Sequence, residues 1–273
     1  MIEPRQVAAV AGKEFRDRLR NRWVLAVAVV FTVFSLAITW FGGAAQGQLG
    51  PRSIEFTVTS LVSLVIYLIP LIALLLGFDA IVGERERGSL DLLLALPITR
   101  TELLLGKYLG LAGALLLSTL AGFALAGALL AQRFGGAALY HYGGFVLSAS
   151  LLGLAFLSLA VLISVLARDR TRASGLAIAL WFALVLVFDL LLLGLLVASG
   201  GAFGGDLLAY ALLANPTDIF RILNVFSLDD VRSLYGLARI VPPALGNLWL
   251  MGGAMVGWIV LPLVVAAWRF RAR

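Results

Sequence analysis

One histidine, His141, and no cysteine occur in the 273 residues, which removes most of the side chains that do covalent chemistry. A nucleophile–base pair would have to be built on His141. It lies between Tyr140 and Tyr142, a setting that suits the aromatic belt of a membrane interface better than a catalytic site. No Gly-x-x-x-x-Gly-Lys-Ser/Thr is present. Gly12-Lys13 is followed by Glu14, and Gly106-Lys107 by Tyr108, so the chain has no phosphate-cradling loop of that kind. Passage of a soft metal wants Cys, Met or His along a path; Met251 and Met255 stand one helical turn apart, a spacing at which methionines usually fill a core. These residues predict a chain that is not an enzyme, with no catalytic, cofactor-binding or metal-ligating residue.

Two acids stand in apolar surroundings. Asp79 is near enough to a charged stretch to reach lipid headgroups or to pair with Arg85 or Arg87. Asp189 lies inside the run from Leu184 to Leu192. A carboxylate at the centre of a bilayer costs about 3 kcal/mol on insertion scales, so Asp189 should face a bundle interior or a cavity. Two readings stay open for it: a protonated acid bonded to a neighbouring helix, or a working group coupled to motion.

The densest polar cluster is Glu84-Arg85-Glu86-Arg87-Gly88-Ser89, followed by Leu90-Asp91-Leu92-Leu93-Leu94-Ala95-Leu96-Pro97. A helix from Leu90 to Leu96 would be about 10 Å long, a third of a bilayer's apolar thickness. Ser89 can cap it and Pro97 stops it. Thr99 and Glu102 have the spacing of a capping box that opens the next helix. So short and apolar a helix, placed on the wet side of a membrane, needs a groove on another protein.

The elements around these residues are membrane spans. With 62% hydrophobic and 13% charged residues, the chain lacks the roughly one-quarter charged share of a soluble globule. Apolar runs predict six spans, at about 23–42, 59–80, 104–131, 145–167, 173–198 and 246–268, with Pro70 and Pro262 kinking the second and sixth. Sixteen of the Lys and Arg residues fall on one side of these spans and five on the other, which predicts cytoplasmic termini and speaks against a nucleic-acid partner despite the net charge of +6. Ahead of the first span, Val7, Ala11, Phe15, Leu19 and Trp23 recur every four residues among basic and acidic ones. That pattern predicts an amphipathic helix along the inner lipid surface, or a simple basic topogenic segment. Glycine pairs 106/110 and 253/257 offer faces for close helix contact.

Between the last two spans lies a segment, 200–245, too apolar for a free loop and too short in its pieces to cross. After Asn215-Pro216, Thr217 or Asp218 could cap a helix bearing Ile219, Phe220, Leu223 and Phe226, and a second stretch runs from Val231 to Ile240. The pieces are either re-entrant or a cap for an outer partner.

The segment from Glu84 to Lys107 closely resembles the cytoplasmic loop between the second and third helices of exporter-class ABC transporter permeases. Its Glu-Arg-Glu, Leu-Pro and Gly-Lys elements fall in place, with Gly88-Ser89 where the family often has Gly-Thr. Within that family, Asn215 to Asn224 resembles the permeases of nitrous oxide reductase maturation systems. The resemblance implies an all-α integral membrane protein, a single domain over 1–273. It would have six transmembrane helices, an N-terminal amphipathic interfacial helix at 1–22, a cytoplasmic coupling region at 83–102 and short extracytoplasmic helices before the last span. It implies a homodimer in the bacterial inner membrane, bound to two P-loop ATPase subunits that carry the ATP and Mg, with this chain binding no cofactor. It also implies a periplasmic β-helical accessory protein and a role in assembling the reductase's copper centres. Contact with the ATPase would run through Glu84, Arg85, Glu86, Arg87, Ser89, Leu90, Leu93 and Leu94, and contact with the periplasmic partner through Ile219, Phe220, Leu223 and Phe226. The scarcity of copper ligands favours transmitted motion over conduction of copper. An exporter of a drug, lipid or ion on the same scaffold is the alternative, and a membrane scaffold or intramembrane enzyme is a more distant one.

Overall fold

A segment that crosses lipid must close its own backbone hydrogen bonds, and a helix does so within one stretch of chain. The computed structural model describes residues 3–20, 23–41, 54–200, 206–226 and 247–272, and among them every regular element is helical. In order these are α1 (Pro4–Arg20), α2 (Trp23–Phe41), α3 (Ile54–Gly77), α4 (Val82–Glu86), α5 (Ser89–Leu94), α6 (Arg100–Phe134) and α7 (Gly136–Leu166). They continue with α8 (Arg170–Phe182), a π-helical turn (Ala183–Val187), α9 (Phe188–Ala198), α10 (Asp206–Leu212), α11 (Pro216–Phe226) and α12 (Leu248–Arg271). The expected stretch from Val231 to Ile240 lies outside the described residues.

Five stretches are long and apolar enough to cross a membrane: Thr57–Glu86, Arg100–Phe134, Tyr142–Leu166, Arg170–Ala198 and Leu248–Arg271. The pair α1 and α2, bent by 64°, adds a sixth. The six predicted spans are therefore all present as helices, with ends that differ by up to several residues. At 35 residues, α6 is about 52 Å long against an apolar thickness of ~30 Å, so one end must project beyond the lipid. Both α3 and α12 continue through Pro70 and Pro262, so neither expected kink breaks its helix. The fifth span departs further from expectation, because the π-turn divides it into α8 and α9.

Burial separates a centre from an edge. Half or more of the apolar window is buried in the spans built on α3, α6 and α7, against 11% for α8–α9 and 22% for α12. Phe31 of α2, Phe123 of α6, Phe145 of α7 and Phe220 of α11 form a row of rings with successive centroids 5.2, 5.4 and 6.2 Å apart. Such contacts add to the plain gain from burying apolar area.

A row of glycines on α6 decides where α1 sits. A Cβ on Gly106 would lie 2.6 Å from Cβ of Val10, and one on Gly110 would lie 2.6 Å from the Ala11 carbonyl oxygen. The apolar stripe of α1 therefore meets a protein surface, where the sequence pointed to lipid: Val7 is buried, and Ala11 and Phe15 are half-buried. The matching pair Gly253 and Gly257 on α12 has open space beside it. Because backbone cannot yield as a side chain tip does, Gly110→Ala should lift α1 from its seat and cost about 1–3 kcal/mol. Unfolding of the purified chain in detergent, together with protease cutting within α1, would check this. An unchanged midpoint with α1 still protected would show that the seat is slack.

Candidate functional site

Four elements meet around the Glu84–Pro97 segment. After α3, the N–H groups of Ile81 and Val82 both donate to Ser164 Oγ near the end of α7, at 2.9 and 3.0 Å. Gly88 then turns the chain with φ at 71°, a left-handed value that a side chain would disfavour. Gly88 takes the capping position of α5, and Ser89 is the helix's first residue. The expected Ser89 cap is not formed; its hydroxyl bonds the Glu84 carboxylate instead. At the start of α6 the Thr99–Glu102 capping box forms with both of its bonds.

Of the charged residues of this segment, Glu84 is buried and Arg85 half-buried, while Glu86, Arg87 and Asp91 are exposed. Glu84 is buried and accepts from Lys107 Nζ at 3.1 Å, with Arg87 at 3.7 Å on the same oxygen. Arg85 donates to the Ala167 carbonyl at 2.9 Å, and Glu86 accepts the Arg170 N–H at 2.7 Å. A carboxylate suits that place, because α8 begins at Arg170 with its free N–H groups and partial positive charge. Asp79 pairs with Arg170 at 3.0 Å and Arg18 at 3.5 Å, two partners that its sequence surroundings did not name. Lys107 is itself 3% exposed and reaches a second acid, Glu14 of α1, at 3.0 Å. Two acids from two elements thus enclose one buried ammonium on α6. Arg100 donates to the Phe270 carbonyl and Arg271 to Thr101 Oγ1, which ties the end of α12 to the same region.

Of the eight residues expected to touch an ATPase, Glu84 and Leu90 are buried, while Leu93 and Leu94 are half-buried against the core. Arg87 is exposed. The apolar face that α5 and its flank offer outward is Leu92, 74% exposed, and Leu96, 55% exposed, beside Asp91, Ala95 and Pro97. Sequence reasoning missed this pair because every leucine of a six-residue helix looks alike; only packing tells the inner side from the outer.

At the opposite end of the bundle, α11 is held inside it. Asn215 precedes Pro216 and caps the helix, its Oδ1 accepting from the Thr217 N–H and hydroxyl at 3.1 and 2.8 Å, in the role expected of Thr217 or Asp218. Its amide nitrogen donates to the Leu184 carbonyl at 2.8 Å, a backbone group inside the π-turn. A π-turn shifts the helical hydrogen-bond register and leaves such a carbonyl without its usual partner. Arg221 binds Asp218 on its own helix at 2.8 Å and Asp189, the second residue of α9, at 2.9 Å. Asp189 therefore has an ionic partner, Arg221, that its sequence surroundings did not name. The side chains of Asp189 and Arg221 are 38% and 40% exposed, and that of Asp218 is 1% exposed.

Ile219 and Phe220 are fully buried and Leu223 packs against the core, so these three do not form an exposed docking row; the Phe226 side chain lies outside the described residues. The two possibilities left open for this segment resolve, for α11, toward insertion into the bundle. Among the described residues no group of three or more His, Cys, Asp or Glu could hold a metal ion. Met251 and Met255 are both buried in the main core.

The chain matches the family described as ABC-2 family transporter protein over residues 8–273. It belongs to that family. Two relatives are each named "Probable ABC transporter permease protein NosY". The one from Stutzerimonas stutzeri is 45% identical over 275 residues, covering 98% of this chain and 99% of its own length. The one from Pseudomonas aeruginosa is 45% identical over 273 residues, covering 98% of each. Membership makes the chain a multi-pass permease subunit of an ABC transporter and implies an ATPase partner. In this ABC-2 permease the Glu84–Pro97 segment is a base bolted to α1, α6, α7 and α8, from which Leu92 and Leu96 protrude.

Proposed function

We propose that this permease works as a homodimer with two ATPase subunits, and that it passes ATP-driven motion to a periplasmic partner during assembly of the copper centres of nitrous oxide reductase. The observation that carries the reading is the protruding pair Leu92 and Leu96 on a base tied to its neighbours through Glu84, Arg85 and Glu86. Apolar anchors surrounded by a polar, solvent-accessible rim are the usual composition of an interface. The excess of Lys and Arg on this side of the spans supports a cytoplasmic position for it, where an ATPase would meet it. Similarity to the NosY permeases supports the assignment to reductase maturation, and the little-buried α8–α9 and α12 are the faces left for a second copy.

Force entering at α5 reaches α8 through Glu86 and the end of α7 through Arg85, and α8 continues through the π-turn to the Asp189–Arg221 and Leu184–Asn215 contacts on α11. On this reading α11 is the lever, and α10, with Leu207 and Tyr210 exposed, is the surface offered to the outer partner. The chain has one histidine, no cysteine and three methionines, so transmitted motion accounts for the copper role better than conduction of copper.

Leu92→Asp with Leu96→Asp should weaken ATPase binding roughly tenfold or more, since each anchor of this kind contributes on the order of 1–2 kcal/mol. Co-purification from membranes, read as the ATPase retained per permease, measures it. Full retention by the double variant would remove α5 as the contact. Rapid ATP hydrolysis by the isolated permease would overturn the division of labour itself. A wild-type complex that binds and exports a drug, lipid or ion instead of supporting reductase maturation would favour the plain exporter.

A further inference from the structure

We infer that Lys107 is a positioning residue that pins α1 to the Glu84–Pro97 segment, so that α1 moves with the coupling element as one body. The observation is an ammonium 3% exposed with two carboxylate partners drawn from different elements, Glu14 of α1 at 3.0 Å and Glu84 of α4 at 3.1 Å. A buried charge of this kind is tolerated only with close partners, and each partner here is held by a second group. Arg18 binds Glu14 at 3.3 Å, while Arg87 and the Ser89 hydroxyl bind Glu84. Arg18 also reaches Asp79, which pairs with Arg170 at the start of α8, so a second chain of ion pairs runs beside the first.

Apolar contact alone would let α1 slide along α6. The glycines at 106 and 110 bring the two backbones close and present no side chain to block an axial shift. The Glu14–Lys107 bond fixes the register, because a slip of one turn along the helix, 5.4 Å, would take Glu14 out of reach. Glu84 on the far side of the same ammonium makes that register depend on where the coupling segment stands. The inference rests on the proposed function only for the source of the force, which is the ATPase; the single-body arrangement is a property of the permease.

The absence of cysteine allows a direct test with spin labels in lipid nanodiscs. One pair goes at Ala9→Cys and Ala95→Cys, both exposed, and a control pair at Leu120→Cys and Leu147→Cys on α6 and α7. The comparison variant is Glu14→Gln with Glu84→Gln and Lys107→Met, which removes all three buried charges; Arg18 keeps Asp79 and Arg87 is exposed to solvent, so the variant should fold. A narrow 9–95 distance distribution is expected in the parent, broadened roughly twofold or more in the triple variant, with the control pair unchanged, as for the selective release of one segment. A 9–95 distribution that stays narrow without the charges would overturn the inference. So would broadening of both pairs together, which would mark a general loosening of the bundle. The distances are read with or without an ATPase bound, so failure to find that subunit would strike the proposed function and leave this result standing.

Discussion

Replacing Arg221 with leucine is expected to release α11 from α9 and to lower the stability of the folded chain by about 2–3 kcal/mol, the cost of breaking an ion-pair cluster with one deeply buried member, discounted for its exposed side. The deep member is Asp218, whose side chain is 1% exposed and whose second carboxylate oxygen accepts from the Asn215 amide at 2.9 Å. Unfolding in detergent should show the loss, and a Thr217→Cys probe, at a position now buried, should become reactive. A leucine variant of unchanged stability with Thr217→Cys still protected would mean that the rings around Phe220 hold α11 without help. Asp189→Asn is the milder partner experiment. It keeps the shape and an acceptor oxygen toward Arg221, and with both groups more than a third exposed it should change stability by less than about 1 kcal/mol. If that variant assembles normally yet fails in maturation, the charge of Asp189 does work beyond tying two helices; if it remains active, the acid is structural.

Lys107→Met alone should be the more damaging change. It leaves Glu14 and Glu84 facing one another where water does not reach Lys107, and breaking a buried pair by removing one partner typically costs about 3–5 kcal/mol. The permease should then be recovered in small amounts, with a lowered unfolding midpoint, and addition of Glu14→Gln and Glu84→Gln should restore most of the loss. That recovery separates the penalty of stranded charge from any loss of packing. If the single and triple variants were equally unstable, the methylene stem of Lys107 would matter and its ammonium would not.

Local signals in the sequence were read well, and signals that need a distant partner were not. The Thr99–Glu102 box spans three residues, and both of its bonds form as the spacing predicts. The spans follow from runs of apolar residues, so their existence was legible, although their ends moved by several residues and the π-turn in the fifth left no mark among uniform leucines and valines. Lys107 looked like the closing residue of a family motif. Its two acids lie 93 and 23 residues away, beyond what spacing can reveal. The partner of Asp189 is 32 residues distant, yet one clue was available: an arginine and an acid, each in an apolar stretch near the same end of the bundle, would lower each other's cost by pairing. For α11 the amphipathic pattern was correct, and of the two readings left open, insertion and an outer cap, burial favours the first. Asn215, Asp218 and Asn224 are buried as well as Ile219 and Phe220, so the polar face meets protein too. Periodicity names the apolar face of a helix; it does not say what lies against either face.

The glycine seat on α6 also sets an order of events during synthesis. Helix α1 leaves the ribosome before α6, and the surface it occupies is not made until the third span follows. Through that interval Val7, Val10 and Phe15 have no α6 to cover them, and an anionic lipid surface would offer a helix carrying Lys13, Arg16 and Arg20 a place to wait. The basic faces of α1 thus serve a nascent chain, and the glycines serve the finished one. A bulky residue at Gly106 or Gly110 would strand α1 at its waiting place, and the defect would be met by the cell's proteases, as a shortage of permease in the membrane, before any ATP was spent.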